Sequence, residues 1–562
     1  MQPPDLLEPT PRLRLDARLF TDTLTFAFAT SSSPEAFERV LKSYDVGESS
    51  FDPELFSRDL FVKDLVARCL CHSPEKRDRY PLLQRPLLAV LTHPSSDLET
   101  VRFRQDVLRS LTSSAELRRG LEHGVAEIRY LFELFQGGER ARHSAALMRR
   151  LDILRALKNT VDKLGQSFEH APGALARIAA FVSDVQRSDA WAHLTSLLDY
   201  ESNLATIDLR VRLGHDGEIR SFAIQRVAEN QDNPWYTSPL RRFLTRFSLL
   251  FRGLHVRRSE LLGRLVESVF DEMQETWLLL YQLLLDLELY VAALRFRSLA
   301  KSKGLDVCLP ELRPVSSNAT SQLDKLFNPF LLLESGSPVP CDISHAAHAI
   351  SIVTGPNSGG KTRLLQAVGL TQLLAQAGLF VPAESAQLSL RSGMFVSLVQ
   401  QVEADQPEGR LGTELARIRR LFESLPFGGL AILDELCSGT NPTEGEEIFQ
   451  LLIELLGELS PVAFISTHFL SLAARLERDR PVELAFLEVE LGASGRPTYR
   501  FVPGVAKTSL ARGVAERLGV TRESLRALLD SRRAELGTAT PERDSAPARA
   551  PSEPNAKSEP LS

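Results

Sequence analysis

Gly355, Pro356, Asn357, Ser358, Gly359, Gly360, Lys361 and Thr362 set glycines, an ammonium and a hydroxyl at the spacing G-x-x-x-x-G-K-T. Glycines allow successive backbone N–H groups to turn inward onto an anion, and a helix that starts at their end points its positive pole at the same spot. In such a loop Lys361 reaches the β- and γ-phosphates of a nucleotide and Thr362 holds Mg²⁺, with Asn357 adding a side-chain contact to the γ-phosphate. The pattern therefore predicts ATP and Mg²⁺ as ligands.

Two carboxylates have the complementary chemistry. The apolar run Leu430-Ala-Ile-Leu433 delivers Asp434 and Glu435 about 70 residues after the lysine. Asp434 is placed to hold the metal and Glu435 to orient and deprotonate a water. By itself an apolar strand closing on two acids is a weak motif, since acids often end strands at solvent; behind this glycine loop it gains meaning. Ser466-Thr467-His468 follows the next apolar run, Val462 to Ile465, and an imidazole there can donate to a γ-phosphate. Lys361, Glu435 and His468 form the expected catalytic set.

These residues need elements to hold them. The apolar strand Ala349 to Val353 precedes the loop, a helix from Thr362 to Ala377 follows it, and strands recur at Leu430–Leu433 and Val462–Ile465. Strand and helix alternate in this way from about Asn328 to Leu529, as in a parallel, doubly wound sheet. Upstream, residues from about Leu87 to Leu164 carry helical spacing, as at Leu117, Leu121, Val125, Ile128 and Leu131. Alternation at Ile207, Leu209 and Val211 against Ile219, Phe222 and Ile224, around Gly214-His-Asp-Gly217, predicts a β-hairpin near 204–227. A long helical stretch from Ser259 to Lys301 follows, and the Pro/Ser-marked passage Pro310 to Ser321 reads as a boundary. The fold class is thus multidomain, a mainly α-helical region followed by an α/β P-loop domain. Its parts are a 1–80 segment without a usable motif, helical residues 81–315, a nucleotide module at 316–532 and a tail at 533–562. The tail has five prolines from Gly537 on and no apolar period, so disorder is expected.

Composition narrows the classes. Of 562 residues 43% are hydrophobic and 25% charged, which suits globular domains. Cys69, Cys71, Cys308, Cys341 and Cys437 are scattered without C-x-x-C spacing, which points to buried thiols in a reducing cytoplasm and to no structural metal. The start Met1-Gln-Pro-Pro-Asp carries no export signal, and the apolar run Trp277 to Leu285 is short for a membrane span, so a cytoplasmic protein is expected. A net charge of −6 gives no overall basic field. Locally, Leu240 to Ser259 holds Arg241, Arg242, Arg246, Arg252, Arg257 and Arg258 without an acid, and these could neutralise phosphates or form a solvated helix face.

The motifs together resemble the MutS family, the mismatch-repair branch of the ABC-type ATPases. Thr354-Gly-Pro-Asn-Ser-Gly-Gly-Lys-Thr362 is similar to its TGPNMGGKS/T, with Ser358 in place of Met. Phe380-Val-Pro-Ala-Glu-Ser-Ala386, Asp434-Glu435…Gly439-Thr440…Glu444-Gly445 and Ser466-Thr467-His468 resemble its FVPAE, DE…GT…DG and ATH segments. Pro94 to Leu111 resembles its core segment and Leu285 to Leu312 the end of its lever helices, so the resemblance spans about residues 85 to 530. The run from Asp434 to Gly445 is closer to the second MutS subfamily. The resemblance implies a homodimer, or a MutS-like heterodimer, in which each ATP is sandwiched against the partner's signature helix. Here that helix is expected to start near Gly412-Thr413-Glu414, in place of the usual Ser-Thr. It further implies a lever and clamp region that closes on mismatched or branched double-stranded DNA in repair. The mismatch sensor's Phe-x-Glu wedge has no expected counterpart: Phe270-Asp-Glu272 and Phe486-Leu-Glu488 sit in a helix and a strand. Neither the N-terminal mismatch domain nor the small C-terminal nuclease-like domain is expected. A ribosome-associated ATPase that separates stalled or collided particles, a role the resemblance to the second subfamily also allows, and an ATP-switch that recruits other proteins are the alternatives.

Overall fold

Apolar residues at three- and four-residue spacing build the described part of the first 302 residues of this computed structural model largely from helices. They are α1 (Ala17–Thr30), α2 (Pro34–Lys42), α3 (Gln84–Thr92), α4 (Leu98–Ser113), α5 (Ala115–Glu133), α6 (Ala146–Phe168), α7 (Ala176–Gln186), α8 (Asp189–Ser202), α9 (Arg258–Glu272) and α10 (Gln274–Ser302). The structure describes residues 1–537 except 31–33, 72–83, 136–145, 203–205, 214–218, 229–257, 316–318, 335, 399–408, 438–440, 480–482, 494 and 508–517. Caps set the helix starts. Asp97 accepts the Glu99 and Thr100 N–H groups at the head of α4, and Ser114 accepts that of Leu117 at the head of α5.

Helix α10 is apolar on every side, so it must be wrapped, and α1, α3 and α5 pack against it. Its most apolar stretch is long enough to cross a membrane but is 94% buried inside the protein, as the short apolar run suggested. Aromatic rings fill the seam: Trp277 and Tyr281 of α10 meet Phe132 of α5 edge-on, and Phe28 stacks on Phe270 at 3.8 Å. Phe270 is therefore a core ring in the structure, not a wedge. The hairpin at 204–227 is present as antiparallel strands β1 (Thr206–Leu213) and β2 (Ile219–Ala228).

Residues 1–16, for which the sequence offered no reading, thread through the helical region. Leu6 and Leu7 are fully buried, Arg104 Nε donates to the Leu7 carbonyl at 2.9 Å, and Arg177 Nη1 donates to those of Asp5 and Glu8 at 2.6 and 2.7 Å.

The second half holds two sheets. Strands β3 (Glu311–Arg313), β4 (Ser321–Leu326), β5 (Cys341–His345) and β7 (Ser385–Ser389) form a mixed sheet in the order β3-β7-β4-β5, which the sequence reading did not contain. Strands β6 (Ile350–Thr354), β8 (Met394–Ser397), β9 (Leu430–Leu433), β10 (Val462–Ser466), β11 (Leu484–Leu491) and β12 (Pro497–Pro503) form a second sheet in the order β12-β11-β6-β10-β9-β8. Its pairings are parallel except for β11 with β12. That departure from an all-parallel sheet arises because β11 returns directly through a short turn, which only antiparallel strands allow. Around these sheets lie α11 (Lys361–Gln376), α12 (Gly409–Ser424), α13 (Pro442–Glu458) and α14 (Leu470–Asp479), and α15 (Arg522–Gly537) follows them. One apolar core runs from Leu6 to Phe501, so the helical region and the sheets share packing.

Candidate functional site

Strand β6 is buried at every position and ends on Thr354, whose hydroxyl donates to the Leu487 carbonyl and accepts the Ala506 N–H at 2.9 Å. The loop therefore leaves the sheet from a fixed point. Gly355 has φ +134°, and a Cβ there would lie 2.6 Å from Val489 Cγ2 of β11. No other residue could rest on that floor. Gly360, at φ +89°, is the N-cap of α11, and this left-handed turn aims the helix's first N–H groups into the loop.

The Lys361 side chain is 3% exposed and folds back beneath the loop. Its Nζ donates to the carbonyls of Gly355 and Pro356 at 3.0 and 3.3 Å and to Asn357 Oδ1 at 3.4 Å, and it lies 3.2 Å from Glu435 Oε1. Ser358 and Thr362 face solvent, and Gly359 donates its N–H back to Pro356. Thr362 Oγ1 donates to Asp434 Oδ2 at 2.6 Å, while the Ser466 hydroxyl donates to the other carboxylate oxygen. Burial pushes the Asp434 carboxyl above its ordinary range; the Ser466 and Thr362 hydroxyls pull it back, and the charge of Glu435 raises it further.

Glu435 follows with φ +48°, in the left-handed region, where a non-glycine residue costs about 1–3 kcal/mol. Its N–H is held by the Ser466 carbonyl at 3.2 Å and by the Ser466 hydroxyl at 3.0 Å. One serine thus sets both acids: it binds the Asp434 carboxylate and bends the next peptide so that Glu435 turns toward Lys361. The sequence reading quoted Ser466 only as the start of a segment whose working residue was His468. The signal lay in its place at the end of β10, parallel to β9 and one step from Asp434.

Beside the loop opens a cavity of about 580 Å³, of a size suited to a small ligand. Lys361 and Thr362 stand on one side, with Phe327, Val339, Tyr499 and Phe501 around the rest. Tyr499 has φ +63° and its ring would meet a Cβ on Gly360 at 3.5 Å. No motif marked these wall residues, since a rim built from β4, β12 and a connecting loop has no spacing signature.

The structure thus brings Gly355 through Thr362, Asp434 and Glu435 together. His468 lies just beyond β10, exposed, with its ring 4.2 Å from that of Phe469, and Thr467 N–H donates to Val353 of the loop-bearing strand. Gly412 and Thr413 lie within α12, which opens at Gly409 and not at Gly412, since Arg410 and Leu411 suit a helix and extend it upstream. Arg417 of the same helix donates to Ser397 Oγ at 3.3 Å, and Ser397 O accepts the Asp434 N–H. Arg241, Arg242, Arg246, Arg252 and Arg257 lie outside the described residues, as do Gly439 and Thr440; Arg258 opens α9, its side chain likewise outside. All five cysteines are free, and burial pushes Cys437 up to about 11. No cluster of three or more metal-ligating side chains occurs among the described residues.

Residues 351–527 match the family model for MutS domain V. A protein called Endonuclease MutS2 from Fusobacterium nucleatum is 30% identical over 211 residues, 37% of this chain and 27% of that protein. Its namesakes from Thermus thermophilus (35% over 177 residues, 32% and 24%) and Thermomicrobium roseum (32% over 215 residues, 38% and 26%) match similarly. The matches span about a quarter of the length of these relatives.

Proposed function

Because this chain is a MutS2-like protein of the MutS family, we propose that it is a Mg²⁺-dependent ATPase that works as a dimeric clamp on distorted or branched double-stranded DNA. The observation that carries the ATPase is the convergence of Lys361, Thr362, Asp434 and Glu435 at the head of α11, beside the 580 Å³ cavity. The residues suit the ligand. Gly355 and Gly359 let the loop lie directly on Val489, which a Cβ at either would displace, and the Thr362–Asp434 pair offers hard oxygen donors of the kind Mg²⁺ takes. A bound Mg²⁺ supplies charge neutralisation on the phosphates.

In this reading the Lys361 ammonium exchanges the carbonyls of Gly355 and Pro356 for phosphate oxygens. With its ion pair to Lys361 exchanged, Glu435 accepts a proton from the attacking water. Ser466 keeps the Glu435 peptide fixed, so the carboxylate is already aimed when substrate arrives. His468 stands at the same end of β10 and donates to the γ-phosphate.

The path from site to clamp runs through the far end of α11. Arg104 Nη1 of α4 donates to the carbonyl of Ala377, and Gln376 Nε2 donates to Ser95 O at 3.0 Å. A shift of α11 on nucleotide binding is thereby passed to the helical region. Gly412 and Thr413 on α12 are the surface offered to the partner subunit's nucleotide, and the arginines from Arg241 to Arg258 the surface offered to DNA. The word endonuclease belongs to the relatives as whole proteins and forms no part of this proposal.

Glu435→Gln tests the chemistry: turnover should fall about 100-fold or more while ATP stays bound, measured by phosphate release and by retention of labelled ATP. Unchanged turnover would show that another group is the base. Band shifts with homoduplex, mismatched and four-way-junction DNA at two salt concentrations test the clamp, since phosphate contacts weaken steeply with salt. Absence of binding to all three rejects it.

A further inference from the structure

A cavity of about 830 Å³ lies away from the glycine loop, between the α4–α5 corner and the last turns of α10. Arg118 and Arg119 come from α5, and Arg295, Arg297 and Lys301 from α10; among the lining residues the only carboxylate is Glu122. On α10, Arg295, Ser298 and Ser302 recur at three- and four-residue spacing and share one face. Thr112 lines the opposite wall, its hydroxyl donating to the Arg109 carbonyl at 3.0 Å. Arg297 is steadied by the Phe380 ring, 5.4 Å from its guanidinium, directly after the end of α11.

The surrounding chain is net acidic, so this concentration of cations is local. Four of the five are arginines, whose planar forks match phosphate oxygens, and Ser298 adds a hydroxyl beside them. The lining of α10 runs from Val291 to Ser302, which at the helical rise is about 16 Å. At about 3.4 Å per nucleotide a strand would present four or five phosphates over that length. A single inorganic anion would fill little of it. No aromatic ring lines the groove, so it lacks the stacking platforms on which single strands are held.

We propose that this groove binds the phosphate backbone of one strand of duplex DNA, as a second DNA contact separate from the arginines of residues 241–258. The choice of DNA rests on the clamp reading above; the groove itself rests on the charges and dimensions of α5 and α10. The contact is sequence-independent and lies against α4, α5 and α10 of the helical region.

The test is fluorescence anisotropy with a 30-base-pair DNA duplex over a salt series, on the full chain, comparing wild type with Arg118→Gln/Lys301→Gln and Arg118→Glu/Lys301→Glu. Loss of two phosphate contacts should flatten the slope of log K against log salt by about 1.8, at roughly 0.9 per contact. The neutral pair should show that change with unaltered melting temperature and ATP turnover, and the reversed pair should weaken binding further. If wild type binds duplex and both variants keep its slope and affinity, the groove is wrong while the clamp reading stands. If wild type binds no duplex, the clamp reading and this site fall together. Polyglutamate displacing the duplex at equal charge concentration would make the occupant an acidic protein segment, and duplex RNA bound more tightly with the same groove dependence would make it RNA. Either result overturns the assignment to DNA.

Discussion

Asp286, buried in the middle of α10, and Asp434, half-buried at the end of β9, are both carboxylates pushed upward, chiefly by desolvation, and both accept a hydroxyl. Their surroundings differ. Asp286 is sealed: it accepts the Leu6 N–H at 3.0 Å and the Tyr44 hydroxyl at 2.8 Å, with Asp5 and the fully buried Arg14 close by. Arg14 in turn holds Asp5 at 3.1 Å and Glu8 at 3.3 Å. Every partner there is fixed by the fold, and the group itself is fully buried. Asp434 stands instead beside a strained Glu435, a lysine held by exchangeable carbonyls and a threonine that faces solvent. A displaced carboxyl titration marks burial in both places; only the second has partners that a ligand could replace. The first cluster fastens residues 1–16 to α10, and the second is poised to bind.

The comparison is most open to attack at Arg14. Arg14→Ala leaves Asp5 uncompensated in the interior and should cost about 3–5 kcal/mol of stability, read as a large fall in melting temperature. ATP affinity of the protein that remains folded should not change. A small loss would mean the sealed cluster does not secure the strap.

Next in size is Lys361→Ala. It should lower ATP affinity by about 3 kcal/mol, on the order of 100-fold, in equilibrium binding of a fluorescent ATP analogue, with little change in melting temperature. A variant that loses stability and keeps affinity would reverse the roles assigned to the two clusters.

The smallest effect is a pH dependence. The Asp286 carboxyl is raised to about 7 in the folded protein, so between its unfolded value and 7 the native state holds the proton more firmly than the unfolded chain does. Stability from this group therefore falls as pH rises through that window and is flat above it. Relative to Asp286→Asn, wild type should gain up to about 1.4 kcal/mol per unit as pH drops from 7 toward 5, measured by denaturant unfolding at each pH. A constant difference would mean that Asp286 stays ionised across the range.

The glycine loop, its strand and helix, and the Asp434-Glu435 strand end were legible because local rules fix them. Only glycine adopts φ +134° over Val489, and a four-residue apolar strand buried on both faces delivers whatever follows it to the sheet's end. Observed limits differ from the expected ones by about one residue, as at β6 and α11. The second sheet was not legible, because β3, β4 and β7 are short and half exposed and pair across tens of residues. Nor was the strap at residues 1–16, whose Asp5, Glu8 and Arg14 look like ordinary surface charge until Arg104, Arg177 and Asp286 close over them.

By itself the sequence determined the chemistry of the loop: the ammonium, the hydroxyl and the glycine turns, since those follow from residue type and spacing along one stretch of chain. Tertiary structure alone decided that Ser466 sets both acids, that Arg104 ties α11 to the helical region, and that five cations from two helices share one groove. Each of these joins residues distant in sequence, and contacts of that kind are chosen by packing, which no local pattern records.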